Sequence, residues 1–263
     1  MSTAKLSFTD SGEGRPILLV HGYPLDRTMW SAQITELTRN YRVLAPDLRG
    51  FGASPLGEAD PATGVAMDDF SDDLAQVLEE AGVKEPVVYC GFSMGGYIGW
   101  SFINKYRSKL AALVLCDTRA AADSDEARGK RLETAQQVYD HGSSWIAEQM
   151  IPKLFSETTR RERPEIVERM ADVIRRTDPD SIAAALRGMA HRPDSTPMLS
   201  QLDLPTLLIV GEDDAITTKD EMSGMAKAIP NAELVVANNA GHMAPVENPA
   251  AVTRALETFL EKF

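Results

Sequence analysis

Residues 87–106, VVYCGFSMGGYIGWSFINKY, decide the fold of this chain. The run that opens this stretch is apolar and typical of a buried strand, and the apolar spacing from Met94 to Tyr106 predicts a helix. Between the two lies Gly91-Phe92-Ser93-Met94-Gly95, followed at once by Gly96. The sequence therefore predicts a strand that turns sharply into a helix, with Ser93 at the turn.

Apolar strand-like runs alternate with helical patterns on both sides of this stretch. We predict strands at residues 5–9, 17–20, 42–46, 87–90, 113–117, 206–210 and 233–237. We predict helices at residues 28–39, 67–81, 94–106, 219–228 and 250–262. Most of the strand runs are near-continuous in Val, Ile and Leu, as in strands that are covered on both faces. The fold class is therefore predicted to be α/β, a mostly parallel central sheet flanked by helices.

The alternation stops between residues 119 and 197. This segment has no strand pattern, and its helical patterns fall at residues 125–139, 144–154, 164–175 and 181–190. We therefore predict a core domain made of residues 1–118 and 198–263, with residues 119–197 inserted as a helical lid.

Composition and charge narrow the function classes. The formal net charge of −12 argues against nucleic acid or an anionic membrane surface as a partner. No apolar run approaches the roughly 20 residues of a membrane span, and residues 1–14 lack the pattern of a signal peptide. We expect a cytoplasmic protein in which Cys90 and Cys116, each inside an apolar run, stay reduced and buried.

Ser93 needs an adjacent base, because a serine hydroxyl is a weak nucleophile near neutral pH. The four histidines are His21, His141, His191 and His242. When a serine at a strand-to-helix turn is the nucleophile, its partners follow in the order serine, acid, histidine. Only His242, which follows the last strand, fits that order.

The acid that orients the base should follow a strand between Ser93 and His242. Glu212, Asp213 and Asp214 all follow the strand at 206–210, so spacing leaves Asp213 as a rival to Asp214. Asp117, at the end of the preceding strand, is a weaker third candidate. The role of this acid is to hold the imidazole in one tautomer and to stabilise its charged form.

Attack by a serine builds negative charge on a carbonyl oxygen, which backbone N–H groups must stabilise. We predict these donors to be the amides of Met94, next to the serine, and Tyr23, in the loop that follows the strand at 17–20. His21 is expected to shape that loop, and Asp47 and Arg49 to brace the glycine-rich loop at 50–52.

Large apolar side chains near these segments are candidates for the wall of a substrate pocket. These candidates are Trp30, Phe51, Trp145, Met150, Phe155, Met189 and Met243. No spacing of metal ligands is present in the sequence. We therefore expect no metal.

The motifs occur in the order found in the α/β-hydrolase family, and the whole chain resembles its serine carboxylesterases. The resemblance is carried by Val20-His21-Gly22-Tyr23-Pro24, residues 47–52, residues 91–96, Gly211-Glu212-Asp213-Asp214 and Ala240-Gly241-His242. Its closer parts, residues 24–30, 115–120 and 190–196, favour bacterial carboxylesterases. The resemblance implies Asp214 as the acid and cofactor-free hydrolysis of small-molecule esters with short acyl groups. The serine at the turn sets aside relatives that carry aspartate there.

The same residues would serve other activities. An enol-lactonase or a cofactor-free perhydrolase uses the same three residues and differs in its pocket. A small-molecule receptor of this fold can also retain all three, because fold does not imply function. Residue patterns leave both a monomer and a small homo-oligomer open.

Overall fold

The computed structural model describes residues 4–262, so residues 1–3 and 263 of the predicted core domain lie outside the described residues. Within that range, seven strands form one sheet in the order β1-β3-β2-β4-β5-β6-β7. The strands are β1 Phe8–Ser11, β2 Pro16–Val20, β3 Arg42–Pro46, β4 Val87–Phe92, β5 Leu110–Cys116, β6 Thr206–Gly211 and β7 Ala232–Ala237. Only the β1–β3 pair is antiparallel among these strands, so the predicted mostly parallel α/β sheet is confirmed.

Helices connect and flank the strands. Those of the predicted core are α1 Ser31–Leu37, α2 Met67–Glu80, α3 Met94–Tyr106, α8 Lys219–Ala228, α9 Ala244–Glu247 and α10 Pro249–Leu260. Helix α3 packs against β4, β5 and α2, whereas α10 packs against α1 and the β6–β7 edge. The strands β2, β4 and β6 are buried along their whole length, because helices cover the sheet.

The segment between β5 and β6 is helical. It contains α4 Asp125–Leu154, α5 Glu157–Glu162, α6 Pro164–Arg175 and α7 Pro179–Ala190. The sequence predicted two helices where α4 runs, and the structure breaks α4 at Gly142, whose φ of 75° is not helical. Helix α4 packs along α7 and α6, so the segment has apolar contacts of its own.

The structure shows the state of the two cysteines and the length and hydropathy of the helices. Cys90 and Cys116 are free and buried, with their Sγ atoms 4.0 Å apart, as expected. None of the helices in residues 4–262 combines the length and the hydropathy that a membrane span requires.

The loop after β3 is braced by buried charges. Asp47 accepts hydrogen bonds from the Arg27 backbone and side chain and from the Ala53 amide. Arg49 forms a two-point ion pair with Asp73 of α2, and their side chains are 2% and 0% exposed. Asp47 thus contacts the end of the glycine-rich loop as expected, whereas Arg49 ties the start of the loop to α2.

Replacement of Asp73 by Ala should lower the free energy of unfolding by about 3 kcal/mol or more, because it removes the carboxylate that neutralises the buried Arg49 guanidinium. Asp68→Ala, in the exposed first turn of the same helix, should cost less than about 1 kcal/mol. Urea denaturation of both variants measures the difference. Equal losses would show that the buried ion pair contributes no more to the free energy of unfolding than the exposed Asp68 does.

Candidate active site

Ser93 lies in a strained turn between β4 and α3. Its φ of 50° and ψ of −112° place a residue with a side chain in a backbone region that such residues rarely adopt. The Ser93 amide donates to the Cys116 carbonyl oxygen at 2.9 Å, and its carbonyl oxygen accepts from the Thr118 hydroxyl at 2.7 Å. The turn predicted from the sequence is therefore present, and hydrogen bonds to the end of β5 and to Thr118, just beyond it, hold it in place.

Glycines flank Ser93 because the turn leaves no room for a Cβ atom. A Cβ on Gly95 would lie 2.5 Å from the Val20 carbonyl oxygen, and one on Gly91 would collide with the Gly95 backbone. A Cβ on Gly96 would collide with the Thr118 side chain. The glycines therefore let α3 approach β2 closely enough to hold the turn.

His242 joins Ser93 to an aspartate. Its Nε2 lies 3.0 Å from Ser93 Oγ, and its Nδ1 lies 2.8 Å from Asp214 Oδ2. Because an ionised carboxylate only accepts hydrogen bonds, Nδ1 carries the proton and Nε2 is free to accept from the serine. The structure thus brings together the three side chains in the order that the sequence predicted.

The geometry also distinguishes the two neighbouring aspartates. The Asp214 and His242 side chains are 0% and 2% exposed, whereas Asp213 is exposed and its amide donates to the Ala240 carbonyl oxygen at 2.8 Å. Successive side chains at the end of β6 point in different directions, so only one of the pair can reach His242. That residue is Asp214.

Asp214 is kept ionised by its contacts. Burial raises its pKa, but the electrostatic attraction and hydrogen bond of His242 and the hydroxyl and amide of Thr217 outweigh burial, and the pKa falls below its ordinary value. Thr217 donates its hydroxyl to Asp214 Oδ2 at 2.6 Å, and the amides of Ile216 and Thr217 donate to Oδ1. Thr217 was not predicted; an aspartate that bonds to amides two and three residues later is the turn pattern that could have revealed it.

Asp117 lies beside this pair, and its pKa is shifted in the direction opposite to that of Asp214. Its Oδ1 accepts from the Gly211 amide at 2.7 Å, and the whole residue is buried. Burial and the negative charge of Asp214 raise the pKa of Asp117 well above its ordinary value. Asp117 is therefore harder to ionise than an exposed aspartate, and His242 bonds to Asp214 instead.

Asp117, Asp214 and His242 also place three possible metal-ligand atoms within 4.8 Å of one another. His242 Nδ1 and an Asp214 oxygen are already hydrogen-bonded to each other, and burial and the charge of Asp214 disfavour the ionised form of Asp117. A metal would require both of these arrangements to be broken, because ligands bind in their deprotonated forms. The group fits a hydrogen-bonded acid and base better than a metal centre.

Asp117→Asn should change how stability depends on pH. Above about pH 4, the folded chain holds a proton on Asp117 that the unfolded chain has released, so folding takes up a proton and stability falls as pH rises. The Asn variant takes up no such proton. The free energy of unfolding of the variant minus that of the wild type should therefore increase with pH, by up to about 1.4 kcal/mol per pH unit. Urea denaturation between pH 4 and pH 8 measures this gain, with the exposed Asp213→Asn as control. A gain that is the same at every pH would show that Asp117 is ionised in the folded chain.

A cavity of about 390 Å³ opens in front of Ser93 and His242. Five of its lining residues lie outside residues 119–197: Tyr23, Ser93, Tyr97, Ile216 and His242. The rest come from residues 119–197: Lys130, Arg131, Thr134, Gln137, Trp145, Ile146, Gln149, Met150, Lys153, Leu154, Leu186 and Met189. A larger polar cleft of about 560 Å³ lies elsewhere, near Asp47 and Asp178, and contains neither Ser93 nor His242.

The structure separates the seven predicted pocket residues into two groups. Trp145, Met150 and Met189 line the cavity. Trp30, Phe51, Phe155 and Met243 do not line it, and all four are buried in the core instead. For these four the prediction is corrected, because large apolar side chains fill cores and line pockets alike.

Two of the four residues that do not line the cavity, Phe51 and Trp30, pack against residues next to the active site from the core side. The Phe51 ring packs edge-on against His21 and Tyr23, and Trp30 packs edge-on against Phe92, next to Ser93. His21 itself accepts from the Leu48 amide through Nε2 at 2.9 Å. These contacts hold the loop after β2 in place, as expected for His21.

Tyr23 lies close to Ser93 because β2 and β4 are neighbours in the sheet. Val20 is opposite Gly91 in the parallel register, so the segments that follow both strands lie side by side. The Leu25 amide donates to the Gly22 carbonyl oxygen at 3.0 Å, which closes the loop around Tyr23. Tyr97 and Arg131, which share the cavity with Tyr23, were not among the predicted site residues.

Residues 15–249 match the family described as the alpha/beta hydrolase fold, and this chain belongs to that family. The predicted fold and the predicted assignment to a hydrolase enzyme are therefore confirmed.

Among solved structures, a thermophilic esterase from Thermogutta terrifontis, determined with malate bound, is 47% identical; the match covers 98% of this chain and 93% of that one, with a TM-score of 0.94. The 3-oxoadipate enol-lactonase 2 of Acinetobacter baylyi is 26% identical over 98% of this chain and 94% of that protein. A non-heme chloroperoxidase of Kitasatospora aureofaciens is 25% identical over 90% of this chain and 88% of that protein. The predicted resemblance to bacterial esterases of this family is confirmed by the first of these.

Proposed function

We propose that this chain is a carboxylesterase that hydrolyses short-acyl carboxylic esters through Ser93, His242 and Asp214. The observation that carries the proposal is the continuous hydrogen-bond chain of 3.0 Å and 2.8 Å that ends at Ser93 Oγ on the cavity. The 47% identity to an esterase over nearly the whole chain supports the same reaction.

In the proposed reaction, Ser93 Oγ attacks the ester carbonyl carbon while His242 Nε2 takes the hydroxyl proton. The C–O bond to the alcohol then breaks, and His242 gives the proton to the departing oxygen. Water attacks the resulting acyl-enzyme with His242 again as base, which releases the acid and restores Ser93. Asp214 remains ionised throughout and stabilises the imidazolium that forms in each half.

The carbonyl oxygen becomes negatively charged during both attacks, and we assign its stabilisation to the amides of Met94 and Tyr23. Met94 is the first residue of α3, where N–H groups have no acceptor within the helix. Tyr23 follows the strand that pairs with β4, and its side chain lines the same cavity as Ser93. The positive end of α3 adds to the stabilisation.

Residues 119–197 act in this proposal as a lid over the core formed by residues 1–118 and 198–263. The support is the lining of the cavity, most of which comes from α4 and α7. A cavity of about 390 Å³ lies near the lower end of the range for small-ligand pockets, roughly 300–1,000 Å³. The lid therefore leaves room for a short acyl group and limits a long one.

An enol-lactonase is the second candidate, because one full-length relative is a 3-oxoadipate enol-lactonase. Ring-opening of a lactone uses the same nucleophile, base and amides, but the alcohol remains tethered to the acyl group. Comparing kcat/KM for lactones with kcat/KM for acyclic esters of similar size discriminates the two activities. A clear excess for the lactones would replace the esterase assignment.

Steady-state hydrolysis of p-nitrophenyl esters from acetyl to dodecanoyl tests the proposal. We expect many turnovers, highest at short acyl chains, and a loss of about 10⁴-fold or more in Ser93→Ala because the nucleophile is absent. Circular dichroism checks that the variant is folded. Retained turnover in folded Ser93→Ala would refute the nucleophile, and a single burst would favour a receptor.

Asp214→Asn and Asp213→Asn form a matched pair of isosteric substitutions on one loop. The first should lower kcat by about 10⁴-fold, because an amide can hold His242 in the wrong tautomer. The second should change kcat less than about twofold, because Asp213 is exposed. The order of the two effects on p-nitrophenyl butyrate hydrolysis decides which aspartate orients the base.

A further inference from the structure

The charged side chains that line the cavity are positive, whereas the chain as a whole is negative. The chain has a formal net charge of −12, yet the cavity is lined by Lys130, Arg131 and Lys153. None of its lining residues, all within residues 4–262, is an aspartate or a glutamate. A cationic lining in an acidic protein favours an anionic ligand.

Arg131 is the cation best placed to bind such a ligand. Its side chain is 25% exposed, whereas Lys130 is 71% exposed and pairs with Glu126. The Arg131 Nε donates to Asp123, and its Nη1 lies 3.7 Å from Met189 Sδ. Its Nη2 makes no hydrogen bond within the part of the chain that the structure describes.

Asp123 does not neutralise the positive charge around it. Its carboxylate pairs with Arg131 Nε and, at 2.8 Å, with Arg192 Nη1. Both of these arginines lower the pKa of Asp123 despite its burial, so it stays ionised. One carboxylate between two guanidinium groups leaves one positive charge in excess beside the cavity.

Tyr23 supplies a second unused donor in the same cavity. The residue is 7% exposed, and its hydroxyl has no hydrogen-bond partner among residues 4–262. Burial raises the pKa of Tyr23 even though Arg131 opposes the shift, so the phenol keeps its proton and can donate. Buried polar groups are rarely left without a partner, and a bound ligand can supply the partner of a residue that lines its cavity.

We propose that the substrate of this site carries a free carboxylate, which Arg131 and the Tyr23 hydroxyl receive while Ser93 attacks the ester or lactone bond. The preferred substrates are then half-esters, or lactones with an acid group, rather than neutral esters. This inference rests on the proposed function, because it assigns the recognition of a substrate that Ser93 cleaves. A planar guanidinium and a neighbouring hydroxyl suit the two oxygens of a carboxylate.

The test compares esters that differ only in the carboxylate. On the acyl side, p-nitrophenyl hydrogen glutarate is paired with p-nitrophenyl pentanoate; on the alcohol side, 4-carboxyphenyl pentanoate is paired with 4-carbamoylphenyl pentanoate. Uncatalysed rates are subtracted, because a neighbouring carboxylate speeds spontaneous hydrolysis. The quantity measured is the ratio of kcat/KM for the anionic ester to kcat/KM for its neutral partner.

Arg131→Gln should lower that ratio about tenfold or more for at least one pair, and Tyr23→Phe should lower it about threefold or more, because each variant loses a donor to a charged group. Arg131→Lys, which keeps the charge, should recover part of the loss. The control is Arg128→Gln, which removes a cation one turn earlier in α4, outside the cavity, and should leave the ratio unchanged. A loss of folded protein lowers both rates equally and does not alter the ratio.

The outcomes separate this inference from the proposed function. If the wild type hydrolyses neutral esters through Ser93 but Arg131→Gln keeps the ratio for both pairs, the carboxylate site is wrong and the esterase assignment stands. If folded Ser93→Ala keeps the activity, the proposed function itself fails. The pair of substrates that loses selectivity shows whether the carboxylate lies on the acyl or on the alcohol side.

Discussion

The left-handed backbone of Ser93 is the constraint on which the rest of the site depends. A residue with a side chain adopts φ of 50° only when its surroundings leave no alternative. Here those surroundings are the Cys116 carbonyl oxygen, the Thr118 hydroxyl and the close approach of α3 to β2 that glycine allows. The turn sets the hydroxyl on the cavity, at the end of the sheet where β5, β6 and β7 also deliver the residues that follow them.

Burial and pairing shift the pKa values of the two carboxyl groups behind His242 in opposite directions. Asp214 bonds to His242 and Thr217 and stays ionised, whereas Asp117 has the Gly211 amide as donor and the charge of Asp214 as neighbour. Two negative charges this close in a buried region repel strongly, so the ionised form of Asp117 is disfavoured beside an ionised Asp214. Asp214 is the carboxylate that bonds to the imidazole, and its negative charge is the one that an imidazolium requires.

The distribution of charge links the inserted helices to the specificity that we propose. Most of the acidic residues face solvent, while α4 turns Arg131 toward the cavity and the loop before it supplies Asp123. In the proposed reaction, Ser93, His242 and Asp214 come from outside the insertion, and the same three residue types serve many different acyl transfers. The recognition of one substrate over another would then come from the insertion and from the Tyr23 side chain, whose backbone belongs to the core.

Local patterns in the sequence by themselves determined the parallel sheet, the helices, the turn at Ser93 and, through chain order, His242. The strands, helices and turn follow from nearest neighbours along the chain, because strand runs, helical spacing and glycine punctuation are local properties, whereas His242 follows from the order of the motifs. Spacing alone left Asp213 beside Asp214, and residue type alone could not separate Trp145 and Met150 from Trp30 and Phe51. Only the tertiary structure decided those cases, and only it brought Tyr23 and Arg131 into one cavity, because the direction of a side chain and its burial depend on segments distant in sequence that fold against it.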